Sequence, residues 1–259
     1  MELKTADEIE LLRINALIVS RTLAEVAKYI KPGVTTIALD KIAEDYLRSE
    51  GAVPGFKGYN GFPNTLCISV NDEVVHGIPG DRVLINGDIV SVDCGSIKHG
   101  YYGDSAYTFP VGEVRPEVLD LLRHTKESLF LGIENAVAGK RVGDISFAVQ
   151  NYVEGFGYSV VRELVGHGIG MKLHEKPDIP NYGRMGTGIK LQEGMTICLE
   201  PMINLGTKNV TQSKDGWTIR AADGLPSAHF ELSVAVTKDK PDVLSTFKYI
   251  EEVLGPNKI

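Results

Sequence analysis

The chain has 259 residues, 43% of them apolar, which is enough to bury one large core or two closely packed half-domains. Its net charge of -7 argues against tight, sequence-independent nucleic-acid binding, which needs a basic surface. The three cysteines, Cys67, Cys94 and Cys198, are widely spaced, so they indicate neither a disulfide framework nor a zinc–thiolate site.

The cysteine pattern favours a reducing compartment. The N-terminal residues contain no apolar core of signal-peptide length, and no apolar run approaches the roughly 18 residues of a membrane span. We therefore expect a cytoplasmic protein that contacts no membrane.

The chain begins with two predicted helices. Thr5 and Glu8 have the spacing of a capping box, and apolar residues follow at helical intervals to about Tyr29. A second amphipathic helix ends at Gly51. The glycine- and aromatic-rich residues 53–63 then predict a loop.

A hairpin follows, with β-branched runs at residues 89–92 and 105–111. If Lys98 and His99 form its two-residue loop, Asp93 faces Asp104. Cross-strand neighbours lie roughly 4.5–5.5 Å apart at Cβ, and like charges there are destabilising. A bound cation would neutralise both carboxylates; the alternative is a solvated hairpin face with no ligand.

The second half of the chain repeats the first. Pro116 lies at the start of a predicted helix that continues to Val137. Four residues recur 106 positions later with matching character: Gly33, Leu39, Tyr46 and Gly51 as Gly139, Ile145, Tyr152 and Gly157. We interpret the chain as a single catalytic domain of two related halves, about 1–112 and 113–259, that share a site.

The second half also contains a predicted hairpin with opposed acids. Asp215-Gly216 is a strong two-residue turn signal, and centring the hairpin there places Glu200 opposite Glu231. Two pairs of facing carboxylates in corresponding positions favour the metal-site interpretation over two unrelated solvated pairs.

A histidine completes this candidate ligand set. His167 lies between two glycines, where the backbone can come close to a ligand. One imidazole with several carboxylates suits Mn, Fe or Co, and zinc also fits. His229 precedes Glu231 by two residues and is expected to support the ligands rather than join them. Nucleophile-elbow, Walker and dinucleotide-binding patterns are all missing from the sequence.

These residues, in the order Asp93, Asp104, His167, Glu200, Glu231, resemble the methionine aminopeptidases of the bacterial type 1 class over nearly the whole chain. The phrases VNDEVVHGIP, VDCG, GHGIG, HEKPDIPNYG, EGMTICLEPM and KDGWT carry the resemblance. The five-ligand pattern alone is shared with the aminopeptidase P and prolidase relatives. Type 2 methionine enzymes have a long insertion before the first glutamate, whereas only 25 residues separate His174 from Glu200 here.

The resemblance implies the pita-bread fold, an α/β arrangement with a pseudo-two-fold repeat and a curved antiparallel sheet covered by helices. It also implies two divalent metal ions (Co, Mn, Fe or Zn), with Asp93 on one, His167 and Glu200 on the other, and Asp104 and Glu231 bridging them. Its implied substrate-contacting residues are His76, His174, Tyr59, Phe62, Cys67 and Trp217. The chain departs from better-known relatives at Phe56, where cysteine is common, and at Leu173, where phenylalanine is common.

The function that this resemblance implies is removal of the N-terminal methionine from new polypeptides, with a preference for a small second residue. The two ions would activate a bridging water, with Glu200 as proton shuttle and His174 and His76 as further catalytic residues. The expected partners are peptide or nascent-chain N-termini, with transient ribosome contact left open, no DNA, and a monomeric chain. The alternatives are a proline-directed aminopeptidase and a non-catalytic binding module on the same fold.

Overall fold

The computed structural model describes residues 2–257 and 259. Its helices are α1 Ala6–Ala27, α2 Thr36–Ser49, α3 Pro116–Ile133, α4 Val142–Glu154 and α5 Lys248–Leu254. Its strands are β1 Val53–Pro54, β2 Leu66–Val70, β3 Glu73–Val75, β4 Ile89–Lys98, β5 Tyr101–Pro110, β6 Ser159–Val160, β7 Gly166–Gly168, β8 Glu175–Ile179, β9 Thr196–Leu199, β10 Met202–Asn204, β11 Val210–Gln212, β12 Ile219–Ala221, β13 Ser227–His229, β14 Leu232–Ala235 and β15 Asp242–Val243.

The helix starts follow their local sequence signals. Thr5 caps α1: its hydroxyl accepts a hydrogen bond from the Glu8 amide at 3.3 Å, and the Glu8 carboxylate accepts from the Thr5 amide at 2.8 Å. This reciprocal pair satisfies two of the amides that a helix start leaves free. Pro116 occupies the first turn of α3, where its missing N–H has no cost.

Two predicted boundaries were wrong by a few residues. Helix α3 ends at Ile133 rather than Val137, because the chain leaves the helix so that Ala138 can donate to the Thr237 carbonyl at 2.9 Å. Within the predicted loop at 53–63, Val53–Pro54 forms β1, because the far end of β4 extends beyond β2 and its backbone groups need partners.

The register of the β4–β5 hairpin also differs from the prediction. The turn residues are His99 and Gly100, with φ of 55° and 80°, as a two-residue type I′ turn requires. Asp93 therefore faces Ala106, and Asp104 faces Gly95. Because side chains alternate with a period of two, this two-residue shift leaves both aspartates on the same face as diagonal neighbours.

The two halves of the chain join along β5. Ala106 of β5 and Glu231 exchange backbone hydrogen bonds, and the Thr108 and Ser105 hydroxyls donate to the His229 and Glu231 carbonyls. The antiparallel sheet with order β15-β14-β9-β7-β8 is thereby brought beside β2, β4 and β5. Helices α1 and α3 cover this curved surface and bury the main apolar core between helices and strands.

Corresponding positions of the two halves adopt similar conformations. Gly33 and Gly139 have φ of 93° and 97°, a left-handed conformation that glycine adopts at little cost. Leu39 and Ile145, six residues after these glycines, are both buried. These matched positions support the predicted internal repeat.

Candidate metal centre

Four carboxylates converge where the two halves meet. Asp93 and Asp104 lie on one face of the β4–β5 hairpin. Leu199 pairs with Leu232 and Met202 pairs with His229, and this continuous register places Glu200 across from Glu231, as predicted.

His167 supplies an imidazole to the same point. Its Nδ1 donates to the Gly168 carbonyl at 2.9 Å, so the lone pair of the neutral ring is on Nε2. Nε2 lies 3.5 Å from Glu200 Oε1 and 3.8 Å from Asp104 Oδ2. The flanking glycines permit this approach, because a Cβ at Gly166 would lie 2.4 Å from the Cys198 carbonyl oxygen.

Burial strongly perturbs the acids of this cluster. It raises the pKa of Asp93 to about 7 and that of Glu200 to about 8. The pKa values of Asp104 and Glu231 rise well above their usual range, first because of burial and then because neighbouring carboxylates repel further negative charge. Burial also lowers the pKa of His167 to about 3, so its ring is neutral. The protein alone thus disfavours the ionised acids, and a cation would favour them.

Unpartnered polar atoms point to the ligand that fits here. Within residues 2–257 and 259, the buried side-chain atoms without a hydrogen-bond partner include Asp93 Oδ1, Asp104 Oδ1, Glu231 Oε1 and His229 Nε2, all from this cluster. Carboxylate oxygens and a neutral imidazole nitrogen are donors that divalent first-row metal ions accept. The five predicted ligand residues therefore fit a site for such ions.

The sequence pattern suggested only a small buried apolar residue at Cys198, so this side chain was not expected among the candidate metal ligands. Ligand atoms of Asp104, His167, Cys198 and Glu231 all lie within 4.8 Å of one another. The Cys198 Sγ is 3.4 Å from Ser233 Oγ. The available signal was the strand period, since Cys198 precedes Glu200 by two residues and shares its face.

His229 is closer to the acids than expected. Its ring is buried, and Nε2 lies 3.6 Å from Glu200 Oε2. Burial lowers its pKa, while the charge of Asp93 acts in the opposite direction. Its predicted position on the Glu231 face agrees with the structure.

A cavity of about 230 Å³ is lined on part of its surface by apolar and aromatic side chains and elsewhere by the acids; we call it the apolar cavity. Its lining contains every residue that was predicted to contact substrate or metal: Tyr59, Phe62, Cys67, His76, Asp93, Asp104, His167, His174, Glu200, Trp217 and Glu231. Phe56 and Leu173, the two expected departures from the family pattern, pack against Phe62 and Cys67 in the same wall.

Two histidines border the junction between this cavity and the acids. The His174 ring lies edge-on to the His167 ring, with centroids 4.3 Å apart. The Nδ1 atom of His174 is 2.9 Å from the Tyr59 hydroxyl. His76 has a φ of 61°, which is uncommon for a residue with a side chain, and its ring contacts Trp217 edge-on. Burial lowers the pKa of His76 to about 4 and also lowers that of His174, so both rings are neutral.

The comparisons with known proteins agree with this geometry. A family model described as Metallopeptidase family M24 matches residues 10–238. A methionine aminopeptidase of Clostridium acetobutylicum is 50% identical over 94% of this chain and 98% of its own length. The crystal structure of methionine aminopeptidase from Rickettsia prowazekii superposes with a TM-score of 0.94 at 40% identity, over 95% of this chain and 100% of that one.

A structure of lower sequence identity is similar over only part of its own length. An Xaa-Pro dipeptidase of Bacillus anthracis superposes with a TM-score of 0.76 at 24% identity, over 94% of this chain but 62% of that one, and is similar in fold alone. These matches confirm the expected pita-bread fold. None of the described helices has the length and apolar character that a membrane span requires.

Proposed function

This chain belongs to metallopeptidase family M24, and on that premise we propose how its residues perform the reaction. Its activity is hydrolytic removal of the N-terminal methionine from polypeptides, as in relatives that share half of its residues. The observation that carries the assignment is the meeting of five candidate metal ligands with the apolar side chains of one cavity of about 230 Å³. Such a cavity suits an apolar side chain whose peptide bond lies at the acids.

The activity depends on divalent metal ions, and we propose that there are two. Asp93 would hold one, His167 and Glu200 the other, and Asp104 and Glu231 would contact both. Bound ions of this kind lower the pKa of water and polarise a carbonyl group. The unpartnered oxygens of Asp93, Asp104 and Glu231 support this ligand set.

Glu200 is the proposed proton carrier. Its side chain is largely buried, with Oε1 3.5 Å from His167 Nε2 and Oε2 3.6 Å from His229 Nε2, so the carboxylate lies within the ligand cluster, where it can exchange a proton with a water bound there. In this role Glu200 takes a proton from the attacking water and gives it to the leaving amine.

His174 is the proposed donor to the carbonyl oxygen of the cleaved bond. If the Tyr59 hydroxyl donates to Nδ1, the Nε2 atom of the neutral ring carries the hydrogen that stabilises developing negative charge. His76, on the other side of the junction, would contact the substrate backbone.

The remaining peptide has a separate path. A cavity of about 400 Å³ shares His76, His167, His174 and Glu200 with the apolar one and continues past Met202 and Glu163. We propose that the apolar cavity, with Tyr59, Phe62, Cys67 and Trp217, binds the methionine side chain. The second residue would then lie among the histidines and Met202, and we propose a preference for a small side chain there.

We further propose one catalytic domain with related halves at about 1–112 and 113–259, acting as a monomer. The candidate site is complete within one chain, and corresponding glycines of the halves share their conformation. The free, buried Cys67, Cys94 and Cys198 support a cytoplasmic location. The substrates would be free peptides and nascent chains, the latter met through transient ribosome contact.

The test is release of free methionine from Met-Ala-Ser by the purified protein in Mn²⁺, Co²⁺, Fe²⁺ or Zn²⁺. Cleavage that EDTA abolishes is expected, with no cleavage of Ala-Pro-Ala. Preferential cleavage of the proline peptide would support the proline-directed alternative, and inactivity with every metal would support a binding module.

A further inference from the structure

The N-terminal segment reaches the loop that carries His174. The Lys4 side chain is only 3% exposed, and its Nζ lies 2.9 Å from Glu175 Oε2, although 171 positions separate the two residues. Glu175 directly follows His174. A buried ammonium group is unfavourable unless it is paired, so this contact couples the start of the chain to the site.

Glu175 in turn holds the loop Gly170–His174, which we call the histidine loop. The Oε1 atom of Glu175 accepts a hydrogen bond from the Lys172 amide at 3.2 Å. Within the loop, the Gly170 amide donates to the Lys172 carbonyl at 3.1 Å. A Cβ at Gly170 would lie 2.4 Å from Glu175 Oε1 and 2.7 Å from Lys4 Nζ. The loop is therefore folded closely around the ion pair.

Lys4 is itself fixed to the strand that leads to Glu200. Its amide donates to the Gly194 carbonyl at 2.7 Å, just before β9. A Cβ at Gly194 would lie 2.8 Å from the Lys4 carbonyl oxygen, so the contact between the two backbones is close. Lys4 thus bridges the base of the Glu200 strand and the histidine loop.

We propose that Lys4 is a positioning residue for His174. Through Glu175 it holds the histidine loop so that the His174 ring keeps its place against His167 and the Tyr59 hydroxyl. Leu173, in the wall of the apolar cavity, is held by the same loop. The proposal rests on the proposed function in one respect, the role of His174 as donor in the reaction.

The test compares Lys4→Met with Lys4→Arg in the full-length, metal-loaded protein. A displacement of about 1 Å at a reacting group can cost up to about a hundredfold in rate. For Lys4→Met we expect kcat on Met-Ala-Ser to fall by about 10- to 100-fold, with KM and metal content within about twofold of the original protein. Lys4→Arg keeps a cation that is able to pair with Glu175. This variant is expected to retain most of the kcat of the original protein.

A second readout does not depend on activity. Hydrogen exchange of the Gly170 and Lys172 amides is expected to accelerate in Lys4→Met, while residues 210–221 exchange as before. Lys126→Met is the control, because the Lys126 side chain is 11% exposed and pairs at 2.6 Å with Glu251 on α5, a helix that carries no residue of the candidate site. It is expected to lower stability and leave kcat and loop exchange unchanged.

Unchanged loop exchange in Lys4→Met would overturn the positioning role, as would an equal loss of kcat in the Lys126→Met control. If the original protein released no methionine, the proposed function would fail. The exchange measurement would still decide whether Lys4 holds the loop.

Discussion

The backbone of Glu231 is hydrogen bonded to that of Ala106 in both directions, with N···O distances of 2.9 and 3.4 Å. Ala106 lies two residues from Asp104 on the same strand, so the two carboxylates proposed to contact both metal ions come from different halves of the chain yet share one ladder. Their relative position is set by main-chain bonds rather than by flexible side chains.

Replacing either of these acids by its amide is expected to remove metal. Losing even a residue that only supports a metal ligand costs about 10- to 100-fold in affinity or activity, so Asp104→Asn or Glu231→Gln should cost at least about a hundredfold. Metal content after dialysis and kcat/KM on Met-Ala-Ser are the measurements. Asp88→Asn is the control, because Asp88 is equally buried but hydrogen bonded to Asn71 and the Ile85 amide. Full metal content in Asp104→Asn would contradict the two-metal site.

Much of this arrangement follows from local sequence. The capping box at Thr5 depends on residues close in sequence and was predicted correctly, and the second hairpin is centred on Asp215-Gly216 as predicted, although residues 213–218 rather than two residues connect its strands. The turn of the first hairpin was predicted one residue too early, because Lys98-His99 and His99-Gly100 are both plausible turns. The predicted cross-strand partners were therefore wrong by two residues. Only the conformations of His99 and Gly100 decide between the two turns. The even shift kept the aspartates on one face, which is why the carboxylate cluster survived the error.

Features that depend on distant contacts could not be read from the sequence. The pairing of Lys4 with Glu175 joins residues 171 positions apart, and although Glu175 lies in the phrase HEKPDIPNYG, nothing in that phrase indicates its partner. Cys198 precedes Glu200 by two residues and lies on the same face of the strand, but a cysteine at such a position is usually just a small buried residue. Its approach to Asp104 and His167 depends on how the two halves pack.

His174 is expected to act on the transition state. His174→Ala should lower kcat by roughly 10²- to 10³-fold, the usual effect of losing one donor to a developing oxyanion, with near-normal metal content. Tyr59→Phe removes only the hydroxyl that contacts Nδ1 and should cost about 2- to 12-fold, the equivalent of one hydrogen bond. Steady-state kinetics decide the assignment: a change confined to KM would place His174 in ground-state binding instead.

His229 is expected to help hold Glu200 in place, because its buried Nε2, which has no hydrogen-bond partner among the described residues, lies 3.6 Å from Glu200 Oε2. His229→Ala should weaken metal binding by about 10- to 100-fold, and His229→Gln, which keeps a polar group beside Glu200, should recover much of it. Titration calorimetry with Mn²⁺ measures the affinity directly. The control is His124→Ala, because the His124 ring stacks on Phe156 and is not part of the site. Equal affinities in the original protein and His229→Ala would rule out this role.

The metal-free protein is expected to lose stability as the pH rises from 6.5 to 8.5. In the folded state the pKa of Asp93 is about 7 and that of Glu200 about 8, against ordinary values of 3.8 and 4.5. The folded protein therefore retains protons that the unfolded chain has released. The free energy of unfolding then falls with pH, by up to about 1.4 kcal/mol per pH unit for each group.

The histidines act in a different range. Burial lowers the pKa of His167 to about 3 and that of His76 to about 4, so they destabilise the folded state only as the pH falls below about 6.5, where the unfolded chain takes up protons. Urea unfolding in EDTA at pH 6.5, 7.5 and 8.5 measures the slope, with Glu200→Gln as the control expected to reduce it. A stability that rises with pH over this interval would contradict the raised pKa values of Asp93 and Glu200.

Selectivity for the first residue is expected to be steep for charge and shallow for a single methylene. The side chains of Phe62, Trp217 and Leu173 offer the cavity mostly apolar surface, with the Phe62 and Trp217 rings in edge-on contact at 5.1 Å. An apolar pocket separates ligands that differ by one methylene by only about 10- to 200-fold. Norleucine, which replaces the thioether sulfur by a methylene, should therefore be cleaved within about a hundredfold of methionine. Lysine or aspartate would place a charge against these apolar side chains and should be rejected far more strongly.

The measurement is kcat/KM for Xaa-Ala-Ser peptides, with Leu173→Phe as a variant that reduces cavity volume without adding polarity. If lysine or aspartate peptides were cleaved as fast as methionine peptides, the cavity could not be the methionine pocket, because an apolar wall has no means of stabilising those charges.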